Sequence, residues 1–161
     1  MQVVWLYQPA GRRGYSLSGL DHGKAGLEME CLFKNDVVKL YWDDNAKLGV
    51  IEWQGAATGD AFRQPILKGC EILKTGQGRK VLNDGTHIPP VPKEDEHWFN
   101  EVGIMQLVAV GVKYLAVVLP KIEKRRIENL QNVQAMMEDV PITVEYFLNT
   151  KDAKQWLLEN D

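Results

Sequence analysis

The sequence predicts an α/β domain with a mixed, mostly parallel sheet flanked by helices, in the order ββαβαβαβα. Three observations predict it. Runs of β-branched and aromatic residues bounded by Gly, Asn, Asp or Pro read as strands, and apolar residues recur at helical spacing between them. The continuous apolar run Tyr114 to Leu119, closed by Pro120, has the length and composition of a central strand covered on both faces. Strands that alternate with helices connect by right-handed crossovers, which makes sequential strands parallel.

Each element follows in turn. Residues 1–28 are rich in glycine, show no sustained periodicity and read as a flexible lead-in, with Met29 as the expected native start and residues 29–161 as one domain. Val37 to Trp42 and Val50 to Trp53 flank Asp43-Asp44-Asn45 and predict a β-hairpin. Thr58 is placed to cap a helix carrying Phe62, Ile66, Cys70 and Leu73 on one face, with Pro65 expected to kink it or delay its start, and Gly76 and Gly78 to end it. Lys80 to Asn83 is a short strand stopped by Asp84-Gly85, and a proline-bearing loop follows. Glu94 and Asp95 open a second helix with a stripe of Trp98, Val102, Met105 and Ala109. Ile127, Leu130, Gln134 and Met137 line a third helix. Ile142 to Leu148 alternates as an edge strand does, and Thr150 is placed to cap a last helix docked by Ala153, Trp156 and Leu157.

Composition excludes several classes. The chain has 161 residues, 45% of them hydrophobic and 25% charged, with a formal net charge of -3. That is an ordinary globular balance with no basic surplus to neutralise phosphates, so no nucleic-acid partner is expected. Cys31 and Cys70 show neither disulfide-framework nor zinc spacing, which suits a reducing cytoplasm. No apolar run reaches the roughly 18 residues needed to cross a bilayer, and the N-terminus lacks the pattern of a secretory signal.

The element order, together with Val50-Ile51-Glu52-Trp53-Gln54-Gly55, Leu82-Asn83-Asp84 and Leu115-Ala116-Val117-Val118-Leu119-Pro120, resembles the bacterial STAS-like family often labelled SpoIIAA-like, over Met29 to Asp161. The resemblance implies a non-enzymatic regulatory or protein-interaction module of the bacterial cytoplasm. In signalling STAS domains a phosphorylated serine or threonine follows an Asp-bearing strand. Here the only serines are Ser16 and Ser18, and Thr86 after Asp84 is the sole candidate phosphosite in that position. STAS-like folds are also compared with lipid-transfer domains of the CRAL-TRIO type. The alternative function is therefore a carrier of a small apolar ligand or lipid, which requires an enclosed pocket of several hundred Å³.

The carboxyl ends of parallel strands are where α/β proteins bind ligands, and they direct attention to Asp84, Thr86, His87 and Lys121. His97 and Glu101, four residues apart on one helical face, join them as candidate ligand or partner residues. A metal or acid/base enzyme using Asp84, His87 and His97 is the third reading, although their spacing matches no metal motif and no cofactor is implied. Asp84 reads equally well as an acceptor for backbone N–H groups in the turn that follows it. Gly76-Gln77-Gly78-Arg79-Lys80 leads from a helix into a strand, the reverse of a phosphate loop. Lys121, Lys124, Arg125 and Arg126 form a short basic cluster diluted by Glu123 and Glu128. Cys70 falls on an apolar stripe where a thiol stays protonated, and the tryptophans fit core positions.

Overall fold

The computed structural model describes residues 29–120 and 140–160. The lead-in, Lys121 with its basic cluster, and the expected helix over 127–137 lie outside them. Among the described residues, one sheet runs in the order β1 (Glu30–Lys34), β2 (Val38–Asp43), β3 (Leu48–Trp53), β4 (Lys80–Asp84), β5 (Tyr114–Val118) and β6 (Thr143–Phe147). β1–β2 and β2–β3 are antiparallel and the remaining pairs parallel, as the alternation of strands and helices predicts. β1 is an addition to the expected order. Its five residues carry charge at both ends and a bulge between Cys31 and Phe33, features that protect a sheet edge and erase strand alternation.

The hairpin is shaped by Asp43, whose Oδ1 accepts the N–H groups of Asn45 and Ala46 at 2.9 and 3.0 Å, with Lys47 at a φ of 51°. α1 (Asp60–Gly76) contains Pro65 without ending there. Its cap differs from expectation. Gly59, not Thr58, is the N-cap and offers no side chain. Its N–H instead donates to Asp95 Oδ2 at 2.9 Å, while Arg63 Nε donates to Asp95 Oδ1 at 3.1 Å. Asp95 is only 3% exposed, so one carboxylate caps a helix from another element and pairs with its first-turn arginine.

At the other end of α1 the left-handed residue is Gln77, at φ 57° and ψ 43°, rather than a glycine. Gly76 and Gly78 serve a different purpose. A Cβ on Gly76 would lie 2.3 Å from the Trp42 indole, and one on Gly78 would lie 2.5 Å from Leu73 and 2.9 Å from Trp42. The glycines let the helix end close over the tryptophan, and the segment is the helix-to-strand turn that the sequence indicates.

α2 (Lys93–Trp98) continues through a π-helical turn (Phe99–Gly103) into α3 (Ile104–Ala109). The π turn inserts a residue and rotates the following face. As a result Ile104 and Leu107 are buried, whereas Val102 and Met105 of the expected stripe are 38% and 50% exposed. Gly103 permits the turn's packing, because a Cβ there would sit 2.8 Å from the Phe99 ring. α4 (Thr150–Glu159) is capped one residue earlier than expected, by Asn149 Oδ1 accepting from Asp152 N at 2.8 Å.

α1 and the α2–α3 helix cover one face of the sheet, where Trp42, Leu73, Val81, Leu107 and Leu115 form one apolar cluster and Leu40, Ile51, Trp53, Phe62 and Ile66 another. α4 covers the opposite face through Ala153 and Leu157, against Leu82, Ala116 and Val118. The strand order never reverses, so the sheet has no switch point of the kind that opens a crevice in doubly wound folds. Among the described residues, the loop after β4 and the start of the connection after β5, Leu119 and Pro120, stand at those carboxyl ends.

Candidate functional site

Strand register builds the site. Ile51, Asn83, Val117 and Tyr146 are lateral partners across β3, β4, β5 and β6 and so form one row on the face that α1 and α2 cover. The next row, Glu52, Asp84, Val118 and Phe147, belongs to the α4 face. Above the first row, Trp53 stacks on Phe62 at a centroid distance of 5.3 Å and 22° between planes, and Phe62 meets Phe99 edge-on at 6.5 Å. Phe99 comes from the π turn, as does Asn100.

Between the row and the loop after β4 lies a cleft of about 130 Å³ that opens to solvent. Trp53, Phe62, Ile88, Phe99, Val117 and Val118 give it apolar walls, while Asn83, Asn100, Glu96 and Tyr146 bring polar groups to it. Pro89 and Pro90 form an exposed rim. Gly85 is required where the loop leaves β4. Its N–H donates to Val118 O at 3.0 Å, and a Cβ would approach that same oxygen to 2.7 Å.

Hydrogen bonding orients the polar groups. Trp53 Nε1 donates to Asn83 Oδ1 at 2.8 Å. An indole nitrogen can only donate, so the carboxamide must turn its oxygen to the tryptophan and leave its NH₂ as the group free to act. Burial raises the Tyr146 phenol above its ordinary pKa of 10, and the Glu96 carboxylate adds to the shift, so the hydroxyl keeps its proton at neutral pH.

The residues singled out from sequence fall into separate local arrangements. Asp84 Oδ1 accepts from the Thr86 N–H at 3.0 Å and from the Thr86 hydroxyl at 2.5 Å, the turn arrangement that was one reading of Asp84. His87 is exposed in that turn. His97 Nε2 lies 3.2 Å from Glu101 Oε2, both side chains exposed, as their four-residue spacing predicts. Among the described residues no group of three or more His, Cys, Asp or Glu side chains is placed to hold a metal ion. Lys121 lies outside the described residues.

On the α4 face, Lys154 is half-buried. Desolvation lowers its pKa, opposed by the charges of Asp84 and Glu52. Cys70 is buried and its thiol is pushed up to about 11 by desolvation, as its place on the apolar stripe predicts. Sequence reasoning missed Asn83, Asn100 and Tyr146. Asparagine is depleted in strands, so Asn83 directly after Val81-Leu82 was the available signal. Nothing in the sequence marked the π turn that places Asn100.

The cavity volumes bear on the carrier reading. Among the described residues the cleft holds about 130 Å³ and an apolar pocket between the sheet and α1 about 40 Å³. Neither approaches the several hundred Å³ that an enclosed ligand chamber requires. No helix among the described residues is long and apolar enough to cross a membrane.

The fold and site together define a mixed α/β domain with an aromatic-walled cleft at the carboxyl end of a sequentially ordered sheet. Among solved structures the chain is similar to an uncharacterised protein of the DUF3478 family with a SpoIIAA-like fold from Shewanella loihica PV-4, with 14% identity and a TM-score of 0.47 over 80% of this chain and 91% of that chain. No protein-family model and no curated protein matches the chain.

Proposed function

We propose that this domain is a non-enzymatic interaction module of the bacterial cytoplasm that docks a protein partner at the carboxyl end of its sheet. The observation that carries the reading is the open cleft. Its volume of about 130 Å³ suits one inserted side chain rather than a whole metabolite, and its rim is the exposed Pro89-Pro90 segment. An anchor side chain in a desolvated pocket, surrounded by a rim that excludes water, is how protein interfaces concentrate binding energy. Of the candidate residues, Asp84 accepts from Thr86 and His97 lies beside Glu101, each in a local arrangement away from the cleft's lining.

The test is affinity capture from a lysate of the source organism with the wild-type chain, an Asn100→Trp variant that fills the cleft, and a Lys113→Glu control at the opposite end of β5. A partner recovered by wild type and control but lost by Asn100→Trp, with the variant's melting temperature unchanged, supports docking at the cleft. A partner retained by Asn100→Trp contradicts it.

A further inference from the structure

The cleft has a polarity pattern as well as a size. Asn83 and Tyr146 stand two strands apart on one lateral row with Val117 between them, which separates their backbones by about 10 Å at the usual inter-strand spacing. Asn83 presents its NH₂ because its oxygen is held by Trp53. Tyr146, which carries a phenol, and Asn100, a carboxamide from the π turn, also line the cleft. Among the described residues the Asn83 NH₂, the Tyr146 hydroxyl and the Asn100 side chain have no hydrogen-bond partner, and all three residues line a space walled by Trp53, Phe62 and Phe99. A purely aliphatic guest would desolvate these groups without replacing their hydrogen bonds, a cost that selects against it.

We infer that the anchor this cleft accepts is the tyrosyl side chain of the partner, its ring lying over Val117 against the aromatic wall and its phenol oxygen accepting from the Asn83 NH₂. The ring matches the volume, since cavities of about 150 Å³ accommodate benzene. The phenol matches the polarity. Its oxygen serves the Asn83 donor and its O–H can donate to Tyr146 or Asn100, whereas a phenylalanine satisfies neither and a tryptophan offers only a donor. The open mouth leaves the remainder of the guest outside, on the Pro89-Pro90 rim, as a residue within a polypeptide requires. This inference rests on the docking reading above and adds the identity of the anchor.

It is tested by NMR titration of the full chain with N-acetyl-tyrosinamide, N-acetyl-phenylalaninamide and p-cresol, following the Trp53 indole resonance and the amides of Gly85, Ile88 and Asn100. N-acetyl-tyrosinamide is expected to shift these signals and to bind about fivefold to tenfold more tightly than the phenylalanine analogue, the margin of one hydrogen bond. Asn83→Asp keeps an oxygen for Trp53 but removes the donor, and is expected to erase that preference. Tyr146→Phe, which leaves the Trp53–Asn83 bond untouched, is expected to reduce it. Equal binding of the two analogues, absence of shifts at the cleft, or binding of p-cresol without the tyrosine amide overturns the inference. The last outcome would assign the cleft to a free phenol. Cleft-dependent capture by the Asn100→Trp comparison stands or falls separately, so loss of the tyrosine preference alone leaves docking intact.

Discussion

Trp53 and Asn83, 30 residues apart in the chain, are joined by a 2.8 Å hydrogen bond from the indole nitrogen to the carboxamide oxygen. Trp53 is 1% exposed, so its N–H has no access to water. The bond fixes the orientation of the polar group at the centre of the cleft and ties the end of β3 to β4. Asn83→Leu is expected to destabilise the fold by about 1–3 kcal/mol, because it strands a buried donor, whereas Asn83→Asp retains the acceptor and costs less. Chemical denaturation followed by tryptophan fluorescence checks the order of the two variants.

Asp95 couples the two helices beside the cleft. It accepts from the Gly59 N–H and pairs with Arg63, whose guanidinium also lies 5.5 Å from the Trp98 ring centroid. Asp95→Ala removes a cap and leaves Arg63 without its close partner, so a loss of about 2–4 kcal/mol is expected. Asp95→Asn keeps an acceptor for Gly59 and should fall between the variant and wild type. Equal stability of all three in urea would contradict the coupling.

Glycines of α1 separate into two kinds. Nothing lies within 4 Å of a Cβ built on Gly69, while one on Gly76 would overlap the Trp42 indole. Gly69→Ala is therefore expected to stabilise the protein by about 0.5–1 kcal/mol through helix propensity, and Gly76→Ala to destabilise it by about 1–3 kcal/mol through overpacking. Thermal melts of the two variants should move in opposite directions.

Alkaline stability carries a signature of Tyr41. Burial pushes its phenol up to about 12, with Glu52 and Cys31 adding to the shift. A group whose pKa is higher in the folded state contributes stability fully below its unfolded value, about 10 for tyrosine, and loses it as pH rises toward the folded value. Wild type should therefore lose stability between about pH 10 and 12, and Tyr41→Phe should lose less over that window. Parallel denaturation midpoints across it would contradict the assignment.

How far the sequence foretold the molecule depends on the range of the interaction concerned. The Tyr114 to Leu119 run and the alternation around Val144 announced a central and an edge strand, because burial on two faces or one imprints directly on composition. Thr58 and Thr150 are plausible caps by type, yet Gly59 and Asn149 take those positions, and Asp95 supplies the first cap from 36 residues away. Helical spacing assigned Val102 and Met105 to the core because it assumes an uninterrupted α-helix, and the π turn at Phe99–Gly103 breaks that assumption. The carboxyl end of the sheet as the place of a cleft was legible from topology. Its members were not, since Asn83, Asn100 and Tyr146 meet only through sheet register and that turn.

The most direct test of docking at the cleft is hydrogen–deuterium exchange of the intact chain, alone and with the captured partner. Docking there predicts slowed exchange in residues 85–92 and 96–100, with the outer strand β1 unchanged. Protection confined to β1 or to α4, with exchange in 85–92 unaltered, would contradict it.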